Sequence, residues 1–150
     1  MTDILHLSAD DTARMRRLNS LFAQAFDDPA SYAADPPSDD YFRDVLARQH
    51  VIVLVAEAPD GEIVGGLVAY ELPKLERRRS EVYLYDLAVA AQYRRQGIAT
   101  RLIQALGRIA RDRGAWVVFV QADHGDEPAI ALYQKLGVRE DVLHFDLPLP

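Results

Sequence analysis

At 150 residues with 49% hydrophobic content, the chain is the size of one domain and carries enough apolar material for a sizeable core. Its 17 Lys and Arg stand against 23 Asp and Glu, and the resulting net charge of −6 argues against nucleic acid or anionic membranes and suits a cationic small molecule. There is no cysteine, which excludes disulfides, thiolate metal sites and a cysteine nucleophile. His6, His50, His124 and His144 are scattered without metal-ligand spacing, so no metal is expected. No apolar run approaches membrane-spanning length and the N-terminus lacks a signal-peptide core, so the default expectation is a soluble, cytoplasmic protein.

In chain order, Ile4 to Leu7 reads as a short strand. Ser8 suits an N-cap, with a helix from about Asp11 to Phe26 burying Met15, Leu18, Leu21, Phe22, Ala25 and Phe26. Asp27-Asp28-Pro29 ends it, and Ser31 to Ser38 reads as a loop. A second helix fits Asp39 to Gln49, with Tyr41, Phe42, Val45 and Leu46 inward. Val51 to Glu57 and Glu62 to Leu72 form a hairpin across the Pro59-Asp60-Gly61 turn, and Gly65-Gly66 marks a bulge or a close backbone approach. A charged connection, Pro73 to Arg79, leads to the central stretch.

That stretch runs from Glu81 to Arg113. The strand Glu81 to Val89 is rich in β-branched and aromatic residues. A basic turn follows, and then a helix whose apolar face is Ile98, Leu102, Ile103, Leu106, Ile109 and Ala110. A helix N-terminus after a glycine-containing turn presents free N–H groups and the positive end of the helix dipole, a ready site for phosphate. Gly114 stops the helix. Ala115 to Ala122 is a nearly continuous apolar strand, as expected for one covered on both faces. Asp123 to Pro128 is an acidic loop in which Asp126 or Glu127 caps a helix running to Leu136. Gly137 reads as its left-handed C-terminal residue and Val138 to Leu147 as a final strand. The order β-α-α-β-β-β-α-β-α-β is α/β with a mixed sheet, and the crossover from Glu81 to Ala122 requires two parallel neighbouring strands.

The segment Arg94-x-x-Gly97-x-Ala99 resembles the acetyl-CoA pyrophosphate loop of the GNAT superfamily of N-acetyltransferases, and Ala129-x-x-Leu132-Tyr133-x-x-x-Gly137-Val138 resembles that family's later signature. The runs Leu72-Pro73-Lys74, Ser80 to Val89, Arg94 to Ala99, Val120 to Asp126 and Val142 to Asp146 are similar to the type I aminoglycoside 3-N-acetyltransferases. The resemblance implies a mostly antiparallel sheet with a splayed parallel pair and flanking helices, with acetyl-CoA as donor. It implies transfer of acetyl directly to a primary amine of an aminoglycoside, at the 3-N position, giving antibiotic resistance. His124 departs from the closest relatives, which leaves the particular substrate open. The alternative acceptors are a polyamine, another small amine or a peptide N-terminus; a non-catalytic acyl-CoA-binding module is a third reading. The resemblance also implies a homodimer, for which the sequence carries no interface signature of its own.

By the same resemblance, Arg94, Arg95, Gln96, Gly97, Ile98, Ala99 and Thr100 hold the pyrophosphate, while main-chain groups of Leu87, Ala88 and Val89 meet the pantetheine and polarise the thioester. Tyr133 is implied to protonate the departing thiolate. The chemistry also needs a group that takes a proton from an ammonium. Asp86 is favoured as base or substrate anchor, with Glu81 second. Strand alternation places Glu81, Tyr83 and Tyr85 on one face and Asp86 on the other with Val82 and Leu84, and a bulge after Asp86 would shift this register. Tyr85, Asp123, His124 and Asp126 complete the expected acceptor site, beyond the end of the following strand.

Overall fold

The computed structural model describes residues 1 to 150. The elements are β1 (Asp3–His6), α1 (Thr12–Ala25), α2 (Pro29–Tyr32), α3 (Asp39–Leu46), β2 (Val51–Glu57), β3 (Ile63–Pro73), β4 (Ser80–Val89), α4 (Ile98–Asp112), β5 (Ala115–Val120) and α5 (Glu127–Leu136). One sheet runs β1-β2-β3-β4-β5. Every neighbouring pair is antiparallel except β4 and β5, the parallel pair demanded by the α4 crossover.

The sheet is covered on both faces. On one, Met15, Leu18, Leu21 and Phe22 of α1 and Phe42 and Leu46 of α3 pack on Val51, Val53, Val55 and Val68. On the other, Ile98, Leu102, Leu106 and Ala110 of α4 pack on Ile52, Leu54, Ala56, Leu67, Val82 and Leu84. The alternation along β2 shows why its sequence is continuously apolar: odd residues meet α1, even residues meet α4.

Two bulges adjust this frame. In the β2–β3 ladder, Ala56 pairs with Gly65 and Glu57 with Ile63, which leaves Val64 as the extra residue. In the β3–β4 ladder, Val68 pairs with Asp86 and Ala69 with Leu84, so Tyr85 is extra. Before Tyr85, Val82 and Leu84 face α4; after it, Leu87 and Val89 do, and Ala88 faces α1. The expected placement of Asp86 beside Val82 and Leu84 is therefore corrected: the bulge turns it to the α1 face. Both roles expected around Gly65-Gly66 are seen: the bulge falls at Val64, next to Gly65, and the backbone approach is close. A Cβ on Gly66 would lie 2.5 Å from Leu18 Cδ1 and 2.9 Å from the Leu54 carbonyl oxygen.

Several local expectations are also corrected. Ser8 does not cap α1; its own N–H and hydroxyl donate to the Asp11 carboxylate, which also pairs with Arg14. The loop expected after Pro29 begins with a turn of helix, because Pro29 sits at N1 and the Asp28 carboxylate accepts from Ser31 N–H. Tyr41 is exposed. β5 stops at Val120 and is only half-buried, since it is the sheet's edge. Gly137 is extended (φ −152°, ψ −170°), not left-handed. Residues 138 to 150 form no strand, and none makes a backbone hydrogen bond.

The core packing yields a paired prediction. Gly66→Ala is expected to cost about 1–3 kcal/mol, the usual penalty of forcing a methyl into a filled core. Gly107→Ala, inside α4 with open space around it, is expected to gain roughly 0.5–1 kcal/mol. Urea unfolding midpoints check both; equal midpoints for the two variants would refute the packing assigned to Gly66.

Candidate active site

β4 and β5 pair only from Ser80↔Ala115 to Leu84↔Val120. Beyond Leu84 β4 has no partner on this side, because β5 ends at Val120, which leaves a gap along the second half of β4. Ala90 N–H donates to the Val64 carbonyl at 2.8 Å, so the even-numbered residues of this stretch direct their peptide groups at β3. Leu87 and Val89 consequently direct theirs at the gap, while their side chains pack against α4. Ala88 differs: its peptide groups face β3 and its side chain is in the α1 core. Arg94 Nε donates to the Val89 carbonyl at 3.3 Å, tying the following turn to this strand end.

That turn is Ala91–Tyr93, a single 3-10 turn, followed by Arg94 to Gly97. Both Arg95 (φ 62°) and Gly97 (φ 78°) are left-handed, a conformation that favours glycine and is uncommon for arginine. Gly97 is the N-cap of α4, and no side chain caps the helix. None of the backbone N–H groups from Arg95 to Thr100 donates to another backbone group. Consecutive free donors at the positive end of a 15-residue helix, with Arg94 and Arg95 beside them, form a site for an anion such as a diphosphate. Ile98 is buried and anchors the helix start, while Ala99 and Thr100 are half-buried.

Asp86 lies at the other side of the β4 backbone, among tyrosines. Tyr32 Oη donates to Asp86 Oδ1 at 3.0 Å, and Tyr32 is itself held by Phe22 and Phe26 at centroid distances of 5.7 and 5.4 Å. Tyr85 meets Tyr70 at 6.0 Å and Tyr83 at 5.4 Å, and Tyr83 stacks on Phe119 at 4.6 Å and donates to Gln121 Oε1 at 2.8 Å. Burial pushes the Asp86 carboxyl above its ordinary range, and the Tyr32 hydrogen bond opposes that only in part. Burial, with the nearby Asp86 charge, likewise raises Tyr32, Tyr70 and Tyr83. No Lys or Arg pairs with Asp86. A half-buried carboxylate with one hydroxyl and no cation beside it is a natural seat for a cationic amine.

The other expected site residues divide. Glu81 sits at the start of β4, where its carboxylate accepts from Trp116 Nε1 at 3.2 Å and lies 3.7 Å from Lys74 Nζ, apart from the Asp86 cluster. Asp126 caps α5 through Ala129 N–H at 3.4 Å. Asp123 and His124 are exposed in the loop after β5, as Tyr85 is on β4. Tyr133, half-buried on α5, has its hydroxyl pushed up to about 12, by burial first and the Asp126 charge second, so it stays protonated at neutral pH. Sequence reasoning missed Tyr32, Tyr70 and Gln121. Tyr32 lies in a stretch without periodicity, and only the bulge brings Asp86 to it.

Comparison with known proteins follows the same lines. The acetyltransferase (GNAT) family model matches residues 15–138. An N-alpha-acetyltransferase from Sulfurisphaera tokodaii is 33% identical over 111 residues, covering 67% of this chain and 64% of that protein. An N-acetyltransferase family 8 member from Rattus norvegicus is 33% identical over 91 residues, covering 61% of this chain and 40% of that protein. The chain thus spans less than two thirds of these relatives. The crystal structure of an aminoglycoside acetyltransferase from an uncultured soil metagenomic sample is 51% identical, with TM-score 0.97, covering 100% of this chain and 99% of that one. A second from such a sample, in complex with sisomicin, is 30% identical with TM-score 0.91, covering 99% and 97%. A splayed parallel strand pair, a free-donor turn at the head of α4 and a family match across most of its length place this chain in the GNAT acetyltransferase family.

Proposed function

We propose that the protein acetylates a primary amine of a cationic aminoglycoside, at the 3-N position by resemblance, and thereby acts in the cytoplasm as a resistance enzyme. The observation that carries this reading is Asp86: half-buried, hydrogen-bonded only to Tyr32 and free of any cationic partner, beside a strand edge with unpaired peptide groups. Support for the acceptor class comes from the likeness to two aminoglycoside acetyltransferases.

Acetyl-CoA supplies an activated thioester and a diphosphate handle. The free N–H groups from Arg95 to Thr100, with Arg94 and Arg95, fit the diphosphate. The peptide groups of Leu87 and Val89 fit an extended pantetheine-like chain, and an N–H there is placed for a developing oxyanion. Asp86 binds the incoming ammonium and takes its proton; its raised basicity favours that transfer over an ordinary carboxylate. Tyr32 holds the Asp86 carboxylate in place, and the Tyr70, Tyr83 and Tyr85 rings present faces and hydroxyls to a sugar ring. Tyr133 gives its proton to the leaving thiolate. Asp123, His124 and the Asp126 charge extend the acidic rim toward further ammonium groups.

One second reading has a specific support. The 33% identity to an N-alpha-acetyltransferase favours a peptide N-terminus as acceptor. Thiol release from acetyl-CoA with gentamicin, kanamycin, sisomicin, spermidine and a peptide amine separates the readings. Turnover on the aminoglycosides is expected; turnover on the peptide alone would reject the acceptor proposed, and binding without turnover would reduce the protein to an acyl-CoA-binding module.

Asp86→Asn is expected to lower kcat/KM by about 10²–10⁴, the usual worth of a placed base. Because the folded pKa is raised above the unfolded one, the carboxylate costs stability at neutral pH and that cost is relieved as pH falls. Asn keeps the acceptor for Tyr32, so thermal stability at pH 7 should be unchanged or higher; a variant that melts early would mean that Asp86 is structural. Tyr32→Phe removes a bond that favours the charged carboxylate, so the acidic limb of the kcat/KM profile should move to higher pH. A profile that stays in place would detach Tyr32 from the chemistry. Gly97→Val puts a β-branched residue at φ 78° and should weaken acetyl-CoA binding roughly tenfold or more while the fold is kept. Unchanged affinity in a folded variant would mean that the diphosphate site lies elsewhere.

A further inference from the structure

Gln121 stands where the two halves of the candidate site meet. The β4–β5 ladder ends at the pair Leu84↔Val120, so the residue after β5 lies level with Tyr85, at the mouth of the gap along β4. Side chains alternate across β5, and Val118 and Val120 pack on the α4 core. Phe119 consequently faces the other way, where it stacks on the Tyr83 ring at 4.6 Å. Gln121 follows on that side: its Oε1 accepts the Tyr83 hydroxyl at 2.8 Å. Tyr83 in turn meets Tyr85, the bulge residue next to Asp86, at 5.4 Å. The Gln121 amide is thereby held on the acceptor side of the sheet, beside the gap.

The chemistry of the held amide is one-sided. Its oxygen is taken by Tyr83, while its Nε2 group donates to no atom of the chain. Two N–H groups are thus presented to solvent from an exposed side chain. They can bond an oxygen, but not an ammonium, which has donors alone. The neighbours are of the opposite kind. Asp86 has no cationic partner, and Asp123, two residues along, is an exposed carboxylate. A simple polyamine would be met best by carboxylates throughout. A neutral donor between two carboxylates suits a molecule in which ammonium groups are interspersed with oxygens. Tyr83 fixes the direction. A free glutamine could turn its amide over and offer the oxygen to an ammonium, whereas here that turn would set N–H against the Tyr83 hydroxyl proton and lose the bond.

We propose that Gln121, positioned by Tyr83, decides which acceptors the site takes: those with a hydroxyl or ether oxygen, and not a further ammonium, beside the amine that Asp86 holds. The inference rests on the acceptor class proposed above and states which members of that class fit. A carboxylate at position 121 would still accept from Tyr83 but would reverse the choice, since it attracts an ammonium and has no proton for an oxygen.

Kanamycins A, B and C test this, because they differ only in whether each of two carbons of one sugar carries a hydroxyl or an amine. B has an amine at both; A and C each have a hydroxyl at one. Dissociation constants from titration calorimetry are compared between the wild type and Gln121→Glu. One of the ratios B to A and B to C is expected to move toward B by about tenfold, the worth of one hydrogen bond gained or lost. The other reports only the screened charge and should move much less. Ratios that both stay, or that both move equally, overturn the inference, since a general charge effect does not depend on which carbon is changed. Tyr83→Phe keeps the ring and frees the amide, so it should move the same ratio in the same direction with Gln121 intact; an unmoved ratio overturns the part given to Tyr83. Kanamycins that bind without thiol release from acetyl-CoA would reject the proposed reaction while the ratios still decide this inference. Failure of the wild type to bind any of the three would reject the proposed acceptor class and this inference with it.

Discussion

The extra residue in β4 is the constraint on which the candidate site depends. With Tyr85 left out of the ladder, the alternation of the strand changes sides. The apolar residues before and after it, Val82 and Leu84, then Leu87 and Val89, all remain on the α4 core. Without the extra residue, a strand of the same composition would direct Asp86 into that core and Leu87 out of it. Burying the carboxylate there would cost several kcal/mol with no partner to offset it. The bulge thus reconciles an acidic residue in the middle of a buried strand with a closed hydrophobic core, and it places that residue against Tyr32.

The site divides its work between backbone and side chains. The donors on one side are peptide groups: the turn before α4 and the unpaired edge of β4. Their geometry comes from the main chain, from the left-handed Arg95 and Gly97 and from the end of β5 at Val120. The acceptor side is built from side chains on β3, β4, β5 and α2, where tyrosines surround one carboxylate. Free peptide donors and a half-buried carboxylate therefore sit on the two sides of one strand. This arrangement suits a reaction that joins an anionic donor to a cationic acceptor.

Asp86 also carries a cost to the fold. Its carboxylate is desolvated, which the folded state tolerates with a single hydroxyl as compensation. A residue selected for packing alone would be apolar here.

Much of this was legible in the residues. Periodicity marked α1, α4 and the strands of the sheet, since an apolar stripe of period 3.6 or 2 has one stable way to be buried. The turn from Arg94 to Ala99 was legible because its order of strand, basic turn, glycine and helix is local. What only the tertiary structure decided is non-local. The face of Asp86 depends on a one-residue shift relative to β3, which nothing within β4 announces. Tyr32 reaches the site through a packing of α2 on α1 that its own unpatterned stretch does not encode. The final strand expected from Val138 to Leu147 is not formed, because a strand is completed by a partner and this stretch makes no backbone hydrogen bond.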